Sequence, residues 1–403
     1  MNIGLFTDSY YPEVSGLVTS ICSLQEELKK RGHKVYIFTT SNPVSAPKKS
    51  GVFRLPSMPF IFFKSRRVGL LYSPRAAKCV KRLKLDIIHT QSEFSLGMFG
   101  KIMARQMGIP VVHTYHTLWK DYFYYISKGK FKRFSDNLVK VLSRNYCNGC
   151  DLVIVPTLKV YDILKEYGTE TPIKVIPTGV DLKRFERSNY TQDELIKLKE
   201  SVGIKRDDPV IVFVGRVAKE KSIDVILNQL PVILKKVPDA KFLVVGDGPY
   251  LEELKALAKE LNVDNSVICT GELPWEMIGK FYMLGNVFIS SSVTETQGLT
   301  IIEAMAADVP VIVKEDRNIE RLIIDKYNGR VFKSDDEIPY IVEEIFNNRD
   351  LSSELVKHAQ NTVREYSIEH FGESIEQLYY KVIETNTDVK RKAHGRLKGS
   401  KTD

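Results

Sequence analysis

The chain has 403 residues, with 59 Lys or Arg against 50 Asp or Glu and a formal net charge of +9. An apolar content of 43% excludes a disordered chain, and five cysteines are too few for a disulfide scaffold. The length is too great for one ordinary core and predicts two domains of roughly 200 residues each. We read no signal peptide at Met1 and no apolar run of about 18 residues that would span a membrane, so we expect a cytoplasmic protein.

Short β-branched runs alternate with longer amphipathic segments along the whole chain. In the first half the predicted strands are Ile3–Thr7, Lys34–Thr39, Asp86–Thr90, Pro110–Thr114, Asp151–Val155 and Lys174–Ile176, with helices at Ser15–Arg31, Ser95–Met107 and Thr157–Tyr167. In the second half the predicted strands are Val210–Val214, Lys241–Val245, Ser266–Cys269, Asn286–Ile289 and Pro310–Val313, with helices at Ser222–Lys235, Tyr250–Leu261 and Leu299–Ala306. Strands that are apolar on both faces and separated by helices are typical of parallel sheets. The pattern predicts the α/β class, with two doubly wound domains facing a central cleft at the carboxyl ends of their strands.

A polar interval between Asp181 and Asp208 marks the predicted domain boundary. We assign residues 1–187 to the first domain and 205–366 to the second. The final segment, 386–403, is rich in basic and small residues and predicts a disordered tail.

The charge is divided unevenly between the two halves. Residues 1–187 hold 30 Lys or Arg and 14 Asp or Glu, whereas residues 188–403 hold 29 and 36. The first half therefore has a net charge of +16 and the second a net charge of −7. Residues 48–144 alone carry 20 basic and 4 acidic residues. Such an asymmetry indicates different partners for the two halves.

Two strand ends in the second half carry residues suited to a phosphate ligand. Strand Val210–Val214 is followed by Gly215, Arg216 and Lys221, and two cations at the start of a helix would hold a diphosphate. Strand Lys241–Val245 is followed by the turn Gly246-Asp-Gly-Pro249. Taken alone, the first pattern is more often a solvated surface loop, and the second is more often a structural turn.

The segment from Ser290 to Ala307 has the most specific pattern. A strand ends at Ile289, a polar loop with Glu295 follows, and a helix begins near Gly298. A helix N-terminus offers free N–H groups and a positive dipole end to a phosphate. Glu295 and Glu303 would then bind hydroxyl groups on the two sides of that phosphate. The alternative is a pair of surface acids on an ordinary βα unit.

These motifs together resemble the nucleotide-sugar domain of the retaining glycosyltransferases of family 4, which have the GT-B fold of two Rossmann-like domains. The cations, the glycine turn and Glu295-x7-Glu303 occur in the family's order and approximate spacing. The likeness covers roughly residues 1–385. It implies that a C-terminal helix, about 367–385, returns to the first domain.

The resemblance implies a role for each donor-site residue. Arg216 and Lys221 would hold the diphosphate, Glu303 the ribose and Glu295 the transferred hexose. Backbone N–H groups for the phosphates would come from Gly298, Leu299 and Thr300. Gly16, at the start of the first long helix, would let the backbone of the first domain approach the donor phosphates.

We expect neither a metal nor a cofactor, since the UDP-sugar is the donor substrate. No Asp-x-Asp pair occurs in the chain, and its absence fits a site where cations and a helix dipole replace a metal. Cys147 and Cys150 form a Cys-x-x-Cys without a second Cys or His pair nearby, so packed thiols are expected rather than zinc.

Three histidines and two acids lie near strand ends of the first half. His113 is expected in the core, whereas His116 matches a family histidine beside the reacting sugar, where it would stabilise charge or orient the acceptor. Asp8 and Glu93 are acceptor-side candidates, and His89 suits the core and the site equally. The resemblance implies same-face attack without a protein nucleophile. The predicted catalytic set is His116, Glu295, Arg216 and Lys221.

The basic stretch of the first half mixes cations with large apolar side chains. The predicted membrane-binding residues are Phe60, Phe62, Phe63, Lys64, Arg66, Arg67, Trp119, Lys128, Lys130, Lys132 and Arg133. Aromatic rings enter the headgroup boundary, and cations attract anionic lipid. A core helix with a solvated basic face is one alternative. A nucleic-acid groove is another, but without a recognisable binding module no nucleic-acid partner is expected.

Within the family, the run His113 to Thr117 and the opening Phe6 to Pro12 resemble bacterial glucosyltransferases that glycosylate diacylglycerol at the cytoplasmic membrane face. We therefore expect metal-independent, retaining transfer of glucose from UDP-glucose to diacylglycerol by a peripheral protein on the inner face of the cell membrane. The sugar could instead be galactose, mannose or N-acetylglucosamine, and the acceptor could be a phosphatidyl lipid or a soluble glycan. Outside this class, a sugar-nucleotide epimerase and a non-enzymatic basic membrane-binding module are the rival functions. The oligomeric state is left open.

Overall fold

The computed structural model describes residues 1–13, 16–41, 50–60, 63–69, 72–116, 132–293 and 297–399. Within these ranges, the side chains at 59, 60, 63–66, 68, 132–136 and 389–399 are not described. The chain forms two compact units: unit 1 comprises Met1–Gly179 with Ile368–Asp403, and unit 2 comprises Val180–Ser367.

Unit 1 is built on a seven-stranded parallel sheet with the order β3-β2-β1-β6-β7-β8-β9. The strands of this sheet are β1 (Asn2–Phe6), β2 (Lys34–Thr40), β3 (Val52–Leu55), β6 (Ile87–Thr90), β7 (Val111–Thr114), β8 (Leu152–Val155) and β9 (Ile173–Val175). A separate antiparallel hairpin is formed by β4 (Ser57–Phe60) and β5 (Phe63–Gly69). The helices of unit 1 are α1 (Gly16–Lys30), α2 (Pro74–Arg82), α3 (Ser95–Met107), α4 (Lys132–Asn148), α5 (Leu158–Glu166) and α13 (Ile368–Gly399). The β-branched strands are buried on both faces, as the sequence predicts.

The C-terminal helix α13 packs against α1 within unit 1. Arg31, just after α1, donates to Glu376 at 3.1 Å, and His33 lies 2.7 Å from the same carboxylate. Further along α13, the buried Tyr379 hydroxyl lies 2.6 Å from His89 Nδ1. These polar contacts and the buried Phe371 and Tyr379 fix the helix on the sheet.

Unit 2 contains a six-stranded parallel sheet with the order β12-β11-β10-β13-β14-β15. Its strands are β10 (Val210–Val214), β11 (Lys241–Val245), β12 (Val267–Cys269), β13 (Val287–Ser290), β14 (Val311–Lys314) and β15 (Arg330–Phe332). Its helices are α6 (Gln192–Ser201), α7 (Ile223–Lys236), α8 (Leu251–Glu260), α9 (Trp275–Tyr282), α10 (Leu299–Ala306), α11 (Ile338–Asn347) and α12 (Arg349–Val363). The strand order reverses direction between β10 and β13, and such switch points are where open α/β sheets bind ligands.

The structure differs from the sequence-based expectations at two places in the domain organisation. Residues 180–187 belong to unit 2, because Val180 donates its N–H to Tyr366 O at 2.8 Å and Phe185 is buried in the unit 2 core. Helix α13 continues through Gly399, so most of the segment predicted to be a disordered tail is helical. Lys, Arg and Ala are strong helix formers, and no proline interrupts them.

Candidate active site

The loop after β11 packs directly against the loop after β10 in unit 2. A Cβ on Gly246, whose φ is +139°, would lie 2.0 Å from the Gly215 carbonyl oxygen. A Cβ on Gly248 would lie 2.2 Å from the Val217 carbonyl oxygen. Only glycine fits at these close approaches. The Gly246 turn therefore has a structural role, which supports the backbone that carries Arg216.

The loops after β10 and β13, which flank the switch point, are joined by a hydrogen bond. The Ser291 hydroxyl donates to the Ser222 carbonyl oxygen at 2.6 Å. This contact brings the segment with Arg216 and Lys221 next to the segment that leads to Gly298. The structure thus brings these two predicted donor motifs together at one edge of the sheet.

Arg216 is an exposed cation, with 65% of its side-chain surface accessible. Its guanidinium pairs with Glu220 in the following turn. Exposed pairs of this kind contribute little to stability, so a dianionic ligand can replace Glu220 at low cost. Lys221, which is half-buried, ends the short 3-10 turn Lys219–Lys221 on the same loop.

Gly298 is the N-cap residue of helix α10, and its φ of +71° places it in the left-handed region. This residue has no side chain to cap the helix, which leaves N–H groups of the first turn for a ligand. Leu299 and Thr300, the first two helical residues, are half-buried. Glu295, the predicted hexose ligand, lies outside the described residues.

Glu303 lies in the middle of α10 and is 6% exposed. Its Oε2 accepts a hydrogen bond from the Tyr282 hydroxyl at 2.7 Å. Burial raises the pKa of this carboxyl group to about 7, although the hydrogen bond from Tyr282 acts in the opposite direction. Glu303 is therefore a buried acid that is close to half-ionised at neutral pH.

Asp8, predicted on the acceptor side, is engaged in capping a helix. Its carboxylate accepts hydrogen bonds from Ser92 Oγ at 2.6 Å, from Ser95 Oγ and from the Leu96 N–H at 3.1 Å. Helix α3 has no side-chain cap from its own N-cap residue, Phe94. Asp8 supplies that cap from the end of β1, and burial raises its pKa despite these hydrogen bonds. Both carboxylate oxygens of Asp8 therefore accept hydrogen bonds within the protein, and a role for Asp8 on the acceptor side stays a prediction.

Glu93 is linked to the buried histidine of β7. Its Oε1 lies 3.2 Å from His113 Nε2, and His113 Nδ1 lies 2.9 Å from Thr90 Oγ1. His113 is fully buried, as predicted, and Glu93 is half-buried beside it. His89 is also fully buried between Tyr379 and Thr114. Burial lowers the pKa of His89 well below its ordinary value, and the structure places this residue in the core rather than in the site.

His116 lies just beyond the end of β7 and is half-buried. Its Nε2 lies 2.6 Å from the Gln91 amide oxygen, which can only accept a hydrogen bond. With the Gln91 amide in this orientation, Nε2 carries the proton and Nδ1 keeps its lone pair. Burial lowers the pKa of His116 to about 3, so the ring is neutral at physiological pH. Of the two predicted roles, a neutral ring fits orientation of the acceptor hydroxyl better than stabilisation of charge.

Gly16 begins α1 on the surface of unit 1. A Cβ added there would meet nothing within 4 Å, so no contact among the described residues requires glycine at this position. A ligand that lies close to the backbone would explain a glycine at this position.

Most predicted membrane-binding residues fall where the structure gives no side-chain position. Phe62, Trp119, Lys128 and Lys130 lie outside the described residues, and the side chains of Phe60, Phe63, Lys64, Arg66, Lys132 and Arg133 are not described. Arg67 is described, and its guanidinium donates to the Ser57 hydroxyl at 2.9 Å and to the Ser57 carbonyl oxygen at 2.6 Å. Arg67 therefore stabilises the β4–β5 hairpin, a role that the sequence did not predict.

Helix α2, which was not predicted, borders a basic cavity of about 470 Å³. The cavity is lined by Tyr72, Pro74, Ala77, Lys78, Lys81 and Arg82. Among the described residues, no helix combines the length and apolar content of a membrane span.

Cys147 and Cys150 are free, buried thiols at the end of α4, and burial raises the pKa of both. Raised values oppose the thiolate form that zinc binding requires. In the part of the chain that the structure describes, no three His, Cys, Asp or Glu side chains are arranged to hold a metal ion.

Comparison with known proteins identifies the family. Residues 14–184 match the model for Glycosyltransferase Family 4, and residues 196–378 match Glycosyl transferases group 1. An alpha-monoglucosyldiacylglycerol synthase from Streptococcus pneumoniae is 39% identical over 96% of this chain and 87% of its own length. A second alpha-monoglucosyldiacylglycerol synthase, from Acholeplasma laidlawii, is 34% identical over 96% of this chain and 98% of its own length.

This chain is a glycosyltransferase of family 4. Solved structures confirm the GT-B fold of this glycosyltransferase. The Anabaena protein HepE in complex with UDP aligns with a TM-score of 0.74 and 18% identity, over 94% of this chain and all of that one. Sucrose-phosphate synthase from Thermosynechococcus elongatus aligns with a TM-score of 0.72 and 21% identity, over 95% of this chain and 99% of that one.

Two residues of the glycosyltransferase were missed by the sequence motifs. Gln91 directly follows strand β6. Because ligands bind at the carboxyl ends of parallel strands, this position could have marked Gln91 as a site residue. Tyr282 meets Glu303 across 21 positions of sequence, and no local pattern indicates such a contact.

Proposed function

We propose that this glycosyltransferase moves glucose from UDP-glucose to the free hydroxyl of diacylglycerol and forms a monoglucosyl glycolipid. The observation that carries the proposal is the identity of 39% and 34%, across nearly the whole chain, with two alpha-monoglucosyldiacylglycerol synthases. Similarity over both units extends to the regions that would select the sugar and the lipid.

Unit 2 has the chemistry that a UDP-sugar requires. Arg216 and Lys221 on the β10 loop would hold the diphosphate, together with the N–H groups at the start of α10. Glu303 would accept hydrogen bonds from the ribose, Glu295 would bind the hexose, and Gly16 in unit 1 would approach the phosphates.

The reaction would break the bond between the anomeric carbon and the diphosphate while the acceptor oxygen forms its new bond. The proton of the acceptor hydroxyl passes to the departing phosphate oxygen. Because UDP-glucose is an α-glycoside, an alpha-linked product corresponds to retention by same-face attack. Cations and helix N–H groups would stabilise the leaving UDP, and we propose that no metal is required.

On unit 1, the acceptor would meet His116. The neutral ring, with its proton held on Nε2 by Gln91, would accept a hydrogen bond from a substrate hydroxyl through Nδ1. Asp8 and Glu93 would act indirectly, because Asp8 caps helix α3 and Glu93 contacts His113 of β7.

We also propose that unit 1 binds an anionic membrane surface on the inner face of the cell membrane. The exposed cations Lys78, Lys81 and Arg82 of α2 line a cavity with an aromatic ring. Leu138, Val141 and Leu142 are exposed on one face of α4, directly after the predicted membrane stretch. Exposed apolar side chains beside cations are what an interfacial element requires.

One incubation series tests the function. UDP-glucose, UDP-galactose and UDP-N-acetylglucosamine are each offered with diacylglycerol in anionic vesicles, and parallel vesicles contain phosphatidylinositol instead. Mass spectrometry should find a hexosyl-diacylglycerol with UDP-glucose as the preferred donor. Preferred use of a different donor or acceptor would replace the proposal with transfer from that donor or to that acceptor.

A further inference from the structure

Tyr282, the last residue of α9, is fully buried, and its hydroxyl donates a hydrogen bond to Glu303 on helix α10. Its ring packs at 5.8 Å from the Phe185 ring and at 5.9 Å from the Phe288 ring. Packing between two rings holds an aromatic side chain in one orientation. The hydroxyl that reaches Glu303 is therefore fixed by the core of unit 2.

Glu303 is a buried carboxylate without a cationic partner among the described residues. A carboxylate can accept about four hydrogen bonds, and from the described residues this one accepts a single bond, from Tyr282. The charged or titratable side chains on neighbouring helical elements include Lys183, Arg184, Glu276, Lys280, Lys357 and His358. None of them perturbs Glu303, whose pKa responds to burial and to the Tyr282 hydrogen bond.

We propose that Tyr282 is a positioning residue, which holds one oxygen of Glu303 so that the other oxygen is presented to the ribose diol of the donor. The inference rests on the proposed function, in which Glu303 binds the ribose. A short hydrogen bond to a charged acceptor restricts the carboxylate to one rotamer and favours its ionised form. The diol supplies two O–H donors, which an ionised carboxylate accepts better than a neutral acid does.

Tyr282→Phe removes one hydroxyl from a buried ring and keeps its apolar contacts. The variant should bind UDP about tenfold more weakly, because a hydrogen bond to a charged group is lost. It should bind 2′,3′-dideoxy-UDP as the wild type does, since this nucleotide has no diol. The loss for UDP should be larger at pH 6 than at pH 8.5, because Glu303 without the phenol takes up a proton more readily.

Isothermal titration calorimetry with UDP and with 2′,3′-dideoxy-UDP at both pH values measures these differences. Tyr340→Phe is the matched control, since Tyr340 is 61% exposed on the same unit and its loss should leave both affinities unchanged. Wild-type affinity for UDP in Tyr282→Phe would overturn the inference. So would an equal loss for both nucleotides, which would indicate a purely structural effect.

Glu303→Gln separates failure of the inference from failure of the proposed function. If this variant keeps the wild-type preference for UDP over 2′,3′-dideoxy-UDP, then Glu303 does not bind the ribose and the donor-site assignment falls. If it loses the preference while Tyr282→Phe keeps it, only the role of Tyr282 falls. Should Tyr282→Phe not fold, Glu303→Asp breaks the same bond by shortening the acid and leaves the Tyr282 ring in the core. A wild-type preference in Glu303→Asp would overturn the inference.

Discussion

The carboxyl-terminal sheet edges of the two units use their polar side chains in opposite ways. In unit 1, Asp8, Glu93 and His116 are bonded to neighbouring groups of the protein. In unit 2, Arg216 is exposed on a surface loop, and the buried Glu303 accepts one hydrogen bond from the part of the chain that the structure describes. Polar groups that are satisfied internally hold a surface in shape, whereas partly satisfied groups gain by binding a ligand. Unit 1 thus has a preformed edge, and we propose that a bound ligand completes the edge of unit 2.

Removal of the exposed cation of unit 2 should have the largest effect. Arg216→Ala should lower kcat/KM for UDP-glucose by about 100-fold or more, because a positioned cation stabilises the charge that develops on the leaving diphosphate. Lys219→Ala, which removes an exposed cation from the same loop, should retain wild-type activity. Steady-state kinetics on both variants measure the difference, and full activity of Arg216→Ala would remove the assignment of the diphosphate site.

On the preformed edge of unit 1, loss of the hydrogen bond between His116 and the substrate should have a smaller effect than loss of the Arg216 cation. His116→Leu should lower kcat about tenfold, since an oriented substrate hydroxyl loses its acceptor. Gln91→Leu should lower kcat in the same direction, because the His116 tautomer is no longer fixed. Calorimetric affinity for UDP should stay unchanged in both variants. A weakened affinity for UDP with normal kcat would move His116 from the acceptor side to the donor side.

The charge contrast between the halves predicts where a membrane binds. Reversal of Lys130, Lys132 and Arg133 to Glu should reduce sedimentation with anionic vesicles severalfold, since each cation near such a surface contributes about 1 kcal/mol. The matched control reverses three exposed lysines of unit 2, Lys235, Lys255 and Lys259, and should sediment like the wild type. Equal sedimentation of all three proteins would mean that the basic stretch is a solvated face.

The buried titratable groups should give the units opposite responses to pH. The pKa of Glu303 is raised from 4.5 to about 7, so its contribution to stability is complete below pH 4.5 and is lost as the pH rises through 7. The pKa of His116 is lowered from 6.5 to about 3, so its contribution is complete above pH 6.5 and is lost as the pH falls through 3. Each amounts to about 3 kcal/mol or more in the free energy of unfolding.

Urea unfolding of Glu303→Gln and His116→Gln between pH 4 and 8 tests these signs. The first variant should lose the decline in stability between pH 4.5 and 7, and the second should lose part of the decline below pH 6.5. Parallel pH profiles for both variants and the wild type would contradict the contrast.

The smallest expected effect is that of a chelator. EDTA should leave the transfer rate unchanged, because Arg216, Lys221 and the α10 N-terminus are proposed to stabilise the diphosphate. A complete loss of activity that magnesium restores would show that this edge of unit 2 needs a metal.

The sequence predicted the repeated strand–helix pattern well, because strands buried on both faces leave a strong apolar signal. Helices α3 and α10 begin and end at the predicted residues. The edge strands β3 and β15 were not predicted from the sequence.

At the site, local motifs predicted which residues lie at the strand ends. The hydrogen bonds of those residues depend on contacts between distant parts of the sequence. Asp8 follows a strand end in the sequence, but its partners lie 84 or more positions away, on the β6–α3 connection and in the first turn of α3. The contact between Tyr282 and Glu303 joins two helices, and only the packed structure brings them together.

The most direct test of the central claim is the anomeric configuration of the product. Purified protein is incubated with UDP-glucose labelled with ¹³C at the anomeric carbon and with diacylglycerol in anionic vesicles, and the lipid is examined by NMR. We predict a glucosyl-diacylglycerol with an α anomeric signal that is lost in Arg216→Ala. A β anomeric signal, or label in free glucose alone, would contradict retaining transfer to the lipid.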